Sequence, residues 1–420
     1  MILPQGYAAY LRQHIDDHVV DRIIEGLDEE MPVSIRLNTR RLEGRTFEVA
    51  DTDGLVPWCS SGYYLRERPT FTADPHLHAG TYYVQEASSM FVHHVLRHLM
   101  RQGFGPLERA LDLCAAPGGK STLLRNILPD ECLLVCNEPL RPRAQVLAEN
   151  MQKWGDRRVV VSRAFPSDFA DFVEDFDLII TDVPCSGEGM FRKEPDAVTG
   201  WSPAAVQQCV ERDRSILTDI WPCLRPGGIL IYSTCTINPQ EDEDNVDWIC
   251  SHLGGVIVPI PVEAEWGIVG DLRKKTAQPE SASDHPSPTL LPYCHLLPGV
   301  VRGEGFFVAA IRKNADIDVS EYKHLGPLPL DTITCLPLTW QDEAEQGHVD
   351  VDLGTAIRYL HGESLNLPAD TPRGIVTICY EGQPLGPAKN IGNRANNLYP
   401  KEWRIRSGYI QAHSIVSQSR

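Results

Sequence analysis

Leu111-Asp112-Leu113-Cys114-Ala115-Ala116-Pro117-Gly118-Gly119-Lys120-Ser121 is the stretch whose reading decides the fold. The apolar run Ala110, Leu111 and Leu113 predicts a buried strand. Ala115 to Gly119 predict a tight turn of small residues, and Lys120 to Leu128 a helix. A turn without bulky side chains lets a ligand reach the backbone, and the free N–H groups at a helix start favour an anionic group. Glu138 follows at the end of the next apolar run, Cys132 to Cys136. A carboxylate there can accept both hydroxyls of a ribose. The turn is not GxGxxG, and Cys114 stands where the first glycine of a GxxxxGK[ST] phosphate loop belongs. S-adenosylmethionine, which has a ribose and a methionine carboxylate but no phosphate, fits these residues better than a nucleotide. On the turn alone, a plain bend in a core sheet is the competing reading.

The chain around this stretch has 420 residues, enough for two or three domains with a large core. Its formal net charge of −18 argues against a generally basic nucleic-acid coat, so any RNA must meet a local basic face. The 12 cysteines form no CxxC pair and no dense framework, so no metal and no disulfide scaffold are expected. The start, MILPQGYAAYLRQ, lacks a basic lead-in to an apolar core, and no apolar run approaches a membrane span. The expected setting is a reducing cytoplasm with free thiols.

Downstream the pattern alternates strand and helix, which implies a mostly parallel, doubly wound α/β sheet. Arg141 to Trp154 reads as a helix, Val159 to Val161 as a strand, and Phe176 to Thr181 as a strand ending at Asp182. Ser202-Pro203 caps a long helix running to about Leu224. Pro226-Gly227-Gly228 turns into the strand Ile229 to Ser233. Asn238-Pro239 opens a helix from Gln240 to Leu253, with Glu241 to Asp244 expected as a charged first turn complementing the helix dipole. Ligands in such sheets sit beyond the C-terminal strand ends. Cys114, Asp182, Cys185 and Cys235 all lie at such ends and should converge on one cleft. A cysteine is often only a small buried residue. Two of them just past strand ends, one after proline and one after threonine, favour thiolate chemistry.

The strings DLCAAPGGKS, NEPLRPRAQVLAEN, DVPCSGEGMFRK, YSTCTINPQEDEDNV and RGEGFF occur in this order. Together they resemble the Nol/Nop/Sun family of RNA cytosine-C5 methyltransferases, and within it the bacterial RsmF-like ribosomal RNA branch. The resemblance covers about residues 80 to 312 and is weaker in both flanks. It implies a Rossmann-like methyltransferase domain that binds S-adenosylmethionine through Cys114, Ala115, Ala116, Pro117, Gly118, Gly119 and Lys120. Glu138 matches the ribose-binding acid and Arg143 the arginine of the same segment. Asp182 would lie between cofactor and cytosine ring, Cys235 matches the nucleophile, and Cys185 the second cysteine that helps release product. Ser162-Arg163-Ala164-Phe165 has no clear counterpart of the family's adenine contact. The chemistry suits the residues, because thiolate addition at carbon 6 makes carbon 5 of cytosine enamine-like. A paired cytosine hides carbon 6, so the target must be unpaired or flipped out.

Outside the core, residues 1–80 are expected to form a small α+β module with a helix Leu11 to Leu27 and a half-buried strand in Pro32 to Arg40. Its Arg36, Arg40, Arg41 and Arg45 are candidates for RNA contact, with a solvated surface as the commoner role. Residues 81–312 form the methyltransferase region, with Ser88 or Ser89 capping a helix from Met90 and Phe306 to Ile311 as the last strand. Arg192-Lys193 would lie at the cleft mouth. Gln278 to Pro288 is expected to be a mobile loop and residues 313–329 a linker. Residues 330–420 resemble a PUA-like RNA-binding β domain. Arg373 to Arg406 carries six Lys/Arg against two Glu, a local excess of +4 in an acidic chain. The expected activity is S-adenosylmethionine-dependent methylation of cytosine carbon 5 in small-subunit ribosomal RNA by a monomer, with no membrane or DNA partner. A transfer RNA enzyme and a non-catalytic assembly factor are the alternatives.

Overall fold

A computed structural model of the chain describes residues 3–42, 44–45, 47–274, 288–315, 324, 326–338, 347–406 and 412–418. The expected mobile loop lies outside these residues except for Pro288, as does most of the expected linker.

Five strands, Arg109–Asp112, Leu133–Asn137, Val159–Arg163, Phe176–Asp182 and Leu224–Thr234, run parallel in the middle of one sheet. Arg109–Asp112 is central. The chain first builds outward through Leu133–Asn137 to Val159–Arg163, then crosses to the other side for Phe176–Asp182 and Leu224–Thr234. The strand order therefore reverses between Arg109–Asp112 and Phe176–Asp182, the place where doubly wound sheets hold ligands. Helices Phe91–Arg101, Gly119–Ile127 and Arg141–Trp154 feed the core on one face, and Pro203–Ile220 and Glu243–Trp248 the core on the other. Antiparallel strands close both edges. Phe306–Lys313 pairs with Leu224–Thr234, and Gly255–Val258 pairs with Phe306–Lys313. Phe306–Ile311 is not the last strand, because Thr334–Leu336 adds beyond Val159–Arg163.

Several local expectations change. Leu11 to Leu27 is two helices, Tyr7–His14 and Asp17–Leu27, because Ile15 is extended and bridges to Arg273. Neither Ser88 nor Ser89 caps the next helix. Glu86 accepts the N–H groups of both serines, and the helix starts at Phe91 after a 3-10 turn. Ser202 does cap Pro203–Ile220, accepting from Ala205 N at 3.1 Å. The C-terminal part has its own sheet, in the order His348–Asp350, Gly374–Tyr380, Gln383–Asn390, Ala395–Asn397, over the helix Leu353–Leu360. Val416–Gln418 returns to pair with Phe47–Val49 near the N-terminus. Among the described residues no helix is long and apolar enough to cross a membrane.

Arg36 is not on an RNA-facing surface, and the strand that carries it is not half-buried. Val33–Leu37 is covered on both sides. Arg36 is fully buried, donating to Gln85 Oε1 at 2.7 Å, Thr122 Oγ1 at 2.6 Å and Gly119 O at 3.2 Å, with Trp154 under its guanidinium. Arg40 pairs with Asp130, Arg41 donates to the Lys153 and Trp154 carbonyls, and Arg45 to Gly382 O. Burial pulls Arg36 down to about 10, still a cation at neutral pH. Its hydrogen bonds tie the N-terminal sheet to the first turn of the helix after the glycine turn. Replacing Arg36 by Met strands those acceptors, and charge-assisted hydrogen bonds are worth about 1.5–3 kcal/mol each. The Arg36→Met chain should therefore lose at least about 2 kcal/mol of stability, read from the urea midpoint at unchanged slope.

Candidate active site

The site grows from the C-terminal edge of the five parallel strands. Asn137, fully buried, knits three strand ends together. Its amide donates to Leu113 O and Ala164 O and accepts from Ser162 Oγ and Ala164 N. The turn after Asp112 is fixed by Ser121, whose hydroxyl donates to Asp112 Oδ2 at 2.6 Å, and by Ala115 N, which donates to Asn137 O. Gly118 adopts a φ of +116°, which a side chain would strain, and an added Cβ there would touch Leu147 and Asn150. Asn150 in turn donates to Pro117 O.

Cys114, Ala115, Ala116, Pro117, Gly119, Lys120 and Asp182 line one cleft. Gly118 is not among the residues that line it. Glu138 is almost fully buried beside it, accepting from Leu140 N at 3.0 Å and pairing with Arg143 at 3.0 Å. Arg143 also donates to Ala116 O, so it joins the acid to the turn. Leu140 and Phe165, large apolar residues just past two neighbouring strand ends, are more than half exposed (53% and 60%). In the segment without a clear adenine contact, Ser162 and Ala164 face Asn137, and Phe165 is the group left at the surface.

Lys120 Nζ sits 2.8 Å from Asp182 Oδ2, and Ser233 Oγ donates to Asp182 Oδ1 at 2.8 Å. Burial works against the Lys120 charge, but Asp182 outweighs it and holds the ammonium above its ordinary value, with Cys235 among the further contributors. Cys185 Sγ and Cys235 Sγ are 3.1 Å apart, both half-buried at neighbouring strand ends. The hydrogen bond to Cys235, then burial, push the Cys185 thiol well above its usual value. Burial pushes Cys114 up to about 12, so it stays a thiol beside Thr181.

Five contributors are absent from the sequence reading of the site. Tyr83, Val84, Gln85, Glu86 and Ser89 wall the cleft from the N-terminal side. Only Gln85-Glu86-Ala87-Ser88-Ser89, which leads straight into the core, hinted at them. Lys193 does reach the cleft mouth, where it pairs with Glu304 at 2.8 Å. Arg192 does not, since it is spent on the Gly26 and Gly303 carbonyls.

The acidic cluster Glu241 to Asp244 is not a solvated helix start. The helix begins at Glu243, and Glu241, Asp242 and Glu243 are fully buried. Glu241 accepts from Ser186 N, Asp242 from Thr234 Oγ1, and Glu243 from Leu272 N. Burial, then Glu188, push Glu241 up to about 7. Asp242, Glu243 and His295 bring one potential metal-ligand atom each within 4.8 Å of one another. His295 Nε2 already lies 3.0 Å from Glu243 Oε1, a hydrogen bond that accounts for the contact without an ion.

Residues 105–312 match the model of the 16S rRNA methyltransferase RsmB/F family. Residues 3–87 match the N-terminal domain of 16S rRNA methyltransferase RsmF, and 346–405 the methyltransferase RsmF PUA domain. The ribosomal RNA small subunit methyltransferase F of Klebsiella pneumoniae (strain 342) is 32% identical over 496 residues, covering 98% of each chain. That of Aliivibrio fischeri (strain MJ11) is 32% identical over 346 residues, covering 78% of this chain and 68% of the relative. Among solved structures, a methyltransferase homolog protein from Pyrococcus horikoshii is 26% identical with a TM-score of 0.53, covering 71% of this chain and 92% of that one. The structure titled NSun6 from Pyrococcus horikoshii with SFG, at 18% identity and a TM-score of 0.56, shares the fold over 74% of this chain and 99% of that one.

The proton on Cys185 and the nearby Lys120 cation make the two sulfurs unequal toward an electrophile. Brief iodoacetamide labelling at neutral pH, followed by peptide mass mapping, should find at least about tenfold more label on Cys235 than on Cys185. Faster labelling of Cys185 would contradict that inequality.

Proposed function

As the chain belongs to the RsmF-type family of 16S rRNA methyltransferases, we propose that it methylates carbon 5 of a cytosine in small-subunit ribosomal RNA. S-adenosylmethionine is the methyl donor. The observation that carries the cytosine reading is the pair of half-buried sulfurs 3.1 Å apart, just past the ends of the paired strands that carry Asp182 and Ser233. A methyltransferase acting on an amine or a hydroxyl has no use for two such thiols.

The residues fit the cofactor. The turn Ala115–Gly119 presents backbone rather than side chains. The Glu138 carboxylate suits two ribose hydroxyls, and exposed Leu140 and Phe165 offer apolar surface to a planar base. Cys114 to Lys120, Glu138 and Arg143 would hold it. When bound, S-adenosylmethionine supplies an electrophilic methyl carbon on a sulfonium.

The Cys235 sulfur adds to carbon 6 of an unpaired cytosine, which makes carbon 5 electron-rich enough to accept a methyl group. Asp182 passes a proton, drawn from the Lys120 ammonium against it, to ring N3 as negative charge builds there, and takes it back when the sulfur leaves. The hydrogen bond to Cys235, with burial, keeps Cys185 a thiol at the start. Once the Cys235 sulfur is bonded to carbon that hydrogen-bond partner is lost, and Cys185 can give up its proton. It, or a water it holds, then takes the carbon 5 proton, and Cys235 leaves. Further off, Arg373, Lys389, Arg394, Lys401 and Arg406 stay exposed on the C-terminal domain and supply the local basic face for RNA.

Methyl transfer from labelled S-adenosylmethionine to small ribosomal subunits, naked 16S rRNA and transfer RNA tests the substrate. Small-subunit RNA in one of the first two forms should be labelled, and the label should be 5-methylcytosine. Cys235→Ala should abolish transfer with cofactor affinity retained. Cys185→Ala should accumulate a protein–RNA adduct that survives denaturing gels. Full turnover by Cys235→Ala would refute the scheme, and an adduct in that variant would swap the two roles. Lys389→Ala and Arg394→Ala should each weaken RNA binding and lower the slope of log affinity against log salt by about 1, without changing turnover at saturating RNA.

A further inference from the structure

The two cysteines belong to different loops, and the loops are clasped reciprocally by buried carboxylates. Glu188, three residues past Cys185, accepts Ile237 N at 2.9 Å and Asn238 N at 3.0 Å from the loop of Cys235. Glu241, six residues past Cys235, accepts Ser186 N at 2.8 Å from the loop of Cys185. Asn238 spans the pair. Its amide donates to Glu188 Oε1 at 3.1 Å, to Glu241 Oε1 at 2.8 Å and to Thr236 Oγ1 at 2.8 Å. Glu188, Asn238 and Glu241 have no solvent exposure. Gly189 N donates to Cys235 O at 2.8 Å, and a Cβ on Gly189 would collide with the Gly305 and Cys235 carbonyls, so the loops touch backbone to backbone.

The clasp is braced from outside. Trp201 Nε1 donates to Glu188 Oε1 at 3.0 Å. Tyr7 and Tyr10 of the N-terminal helix pack edge-on against Trp201, and Tyr10 donates to Gln240 beside Glu241. None of these groups lines the cleft.

We propose that Glu188, Asn238 and Glu241 are positioning residues that set the separation of the Cys185 and Cys235 sulfurs. Buried carboxylates cost free energy, and here both oxygens of each serve as acceptors, for N–H donors and for the hydroxyls of Thr236 on Glu188 and Ser186 on Glu241. Glu188 receives four N–H bonds. A glutamine in its place keeps one acceptor and turns an NH₂ group against donors, so the loops separate. The consequence for catalysis rests on the cytosine reading above. A displacement of about 1 Å can cost about 100-fold in rate, and it should fall on the step that needs both sulfurs, release of the methylated base.

Two readouts separate the clasp from the chemistry. Diamide takes two electrons and two protons from a pair of adjacent thiols, becoming a hydrazine and leaving a disulfide. The rate of Cys185–Cys235 disulfide formation, read as a 2 Da loss on the linked peptides, therefore reports sulfur–sulfur approach without RNA or cofactor. Glu188→Gln and Glu241→Gln should each close that disulfide at least about tenfold more slowly than the parent chain. Their kcat should fall about 100-fold with KM for RNA unchanged, and the denaturation-resistant RNA adduct should accumulate. Glu241→Asp, which keeps the carboxylate, should recover part of both losses. Cofactor affinity within about twofold of the parent and a single thermal transition certify folding. Parental disulfide rates in both Gln variants would overturn the proposal. Slowed disulfide closure in a protein that methylates no RNA would uphold the clasp and remove the functional reading alone.

Discussion

The Lys120 ammonium and the Asp182 carboxylate meet at 2.8 Å across the point where the strand order reverses. Lys120 opens the helix after the glycine turn, and Asp182 ends the strand that leads to Cys185. The pair thus joins the part of the site that fits a nucleoside to the part that fits a pyrimidine. It is largely shielded from water, and Phe306 lies 5.0 Å from the ammonium. An ion pair in such a setting is screened far less than one on the surface. Ser233 adds its hydroxyl to the same carboxylate, so the strand before Cys235 is held in the same network. Three loops that are far apart in sequence are therefore registered by one charge.

Parallel strands explain how that register arises. Each helix returns the chain to the same starting edge, so Cys114, Asp182, Cys185 and Cys235 emerge on one side of the sheet without any local signal that they should meet. Their separation is then a matter of loop chemistry. The first loop relies on small residues and on Asn137. The two cysteine loops carry acidic side chains inward and use them as acceptors for each other's backbone. A sheet edge rich in unpaired N–H groups favours carboxylates, whether they belong to the protein or to a ligand.

Most of the architecture was legible because it rests on apolar periodicity and on punctuation by glycine and proline. Leu133–Asn137, Phe176–Asp182 and Gly374–Tyr380 stand where their apolar runs put them. Charged residues misled where burial overrides their usual place in water. Arg36 looked like a surface cation in an alternating strand, yet its partners Gln85 and Thr122 come from segments 49 and 86 residues away. Glu241 to Asp244 looked like a dipole-capping turn, yet the donors that hold Glu241 and Asp242 come from Ser186 and from the strand end before Cys235. Tyr83 and Gln85 carry no motif of their own, and only the packing of the N-terminal sheet against the glycine turn makes them part of the cleft. In each case the missing information was a long-range contact, to which periodicity is blind.

The account depends on one transient bond, between the Cys235 sulfur and carbon 6 of the target base. RNA in which cytosine is replaced by 5-fluorocytosine tests it most directly, because fluorine at carbon 5 cannot leave as a proton and the adduct cannot resolve. Incubation with S-adenosylmethionine followed by nuclease and protease digestion should yield one modified peptide. The account predicts that this peptide contains Cys235 and carries a methylated fluorocytidine nucleotide. A thioether on Cys185, or no covalent adduct while methyl transfer to ordinary RNA proceeds, would contradict it.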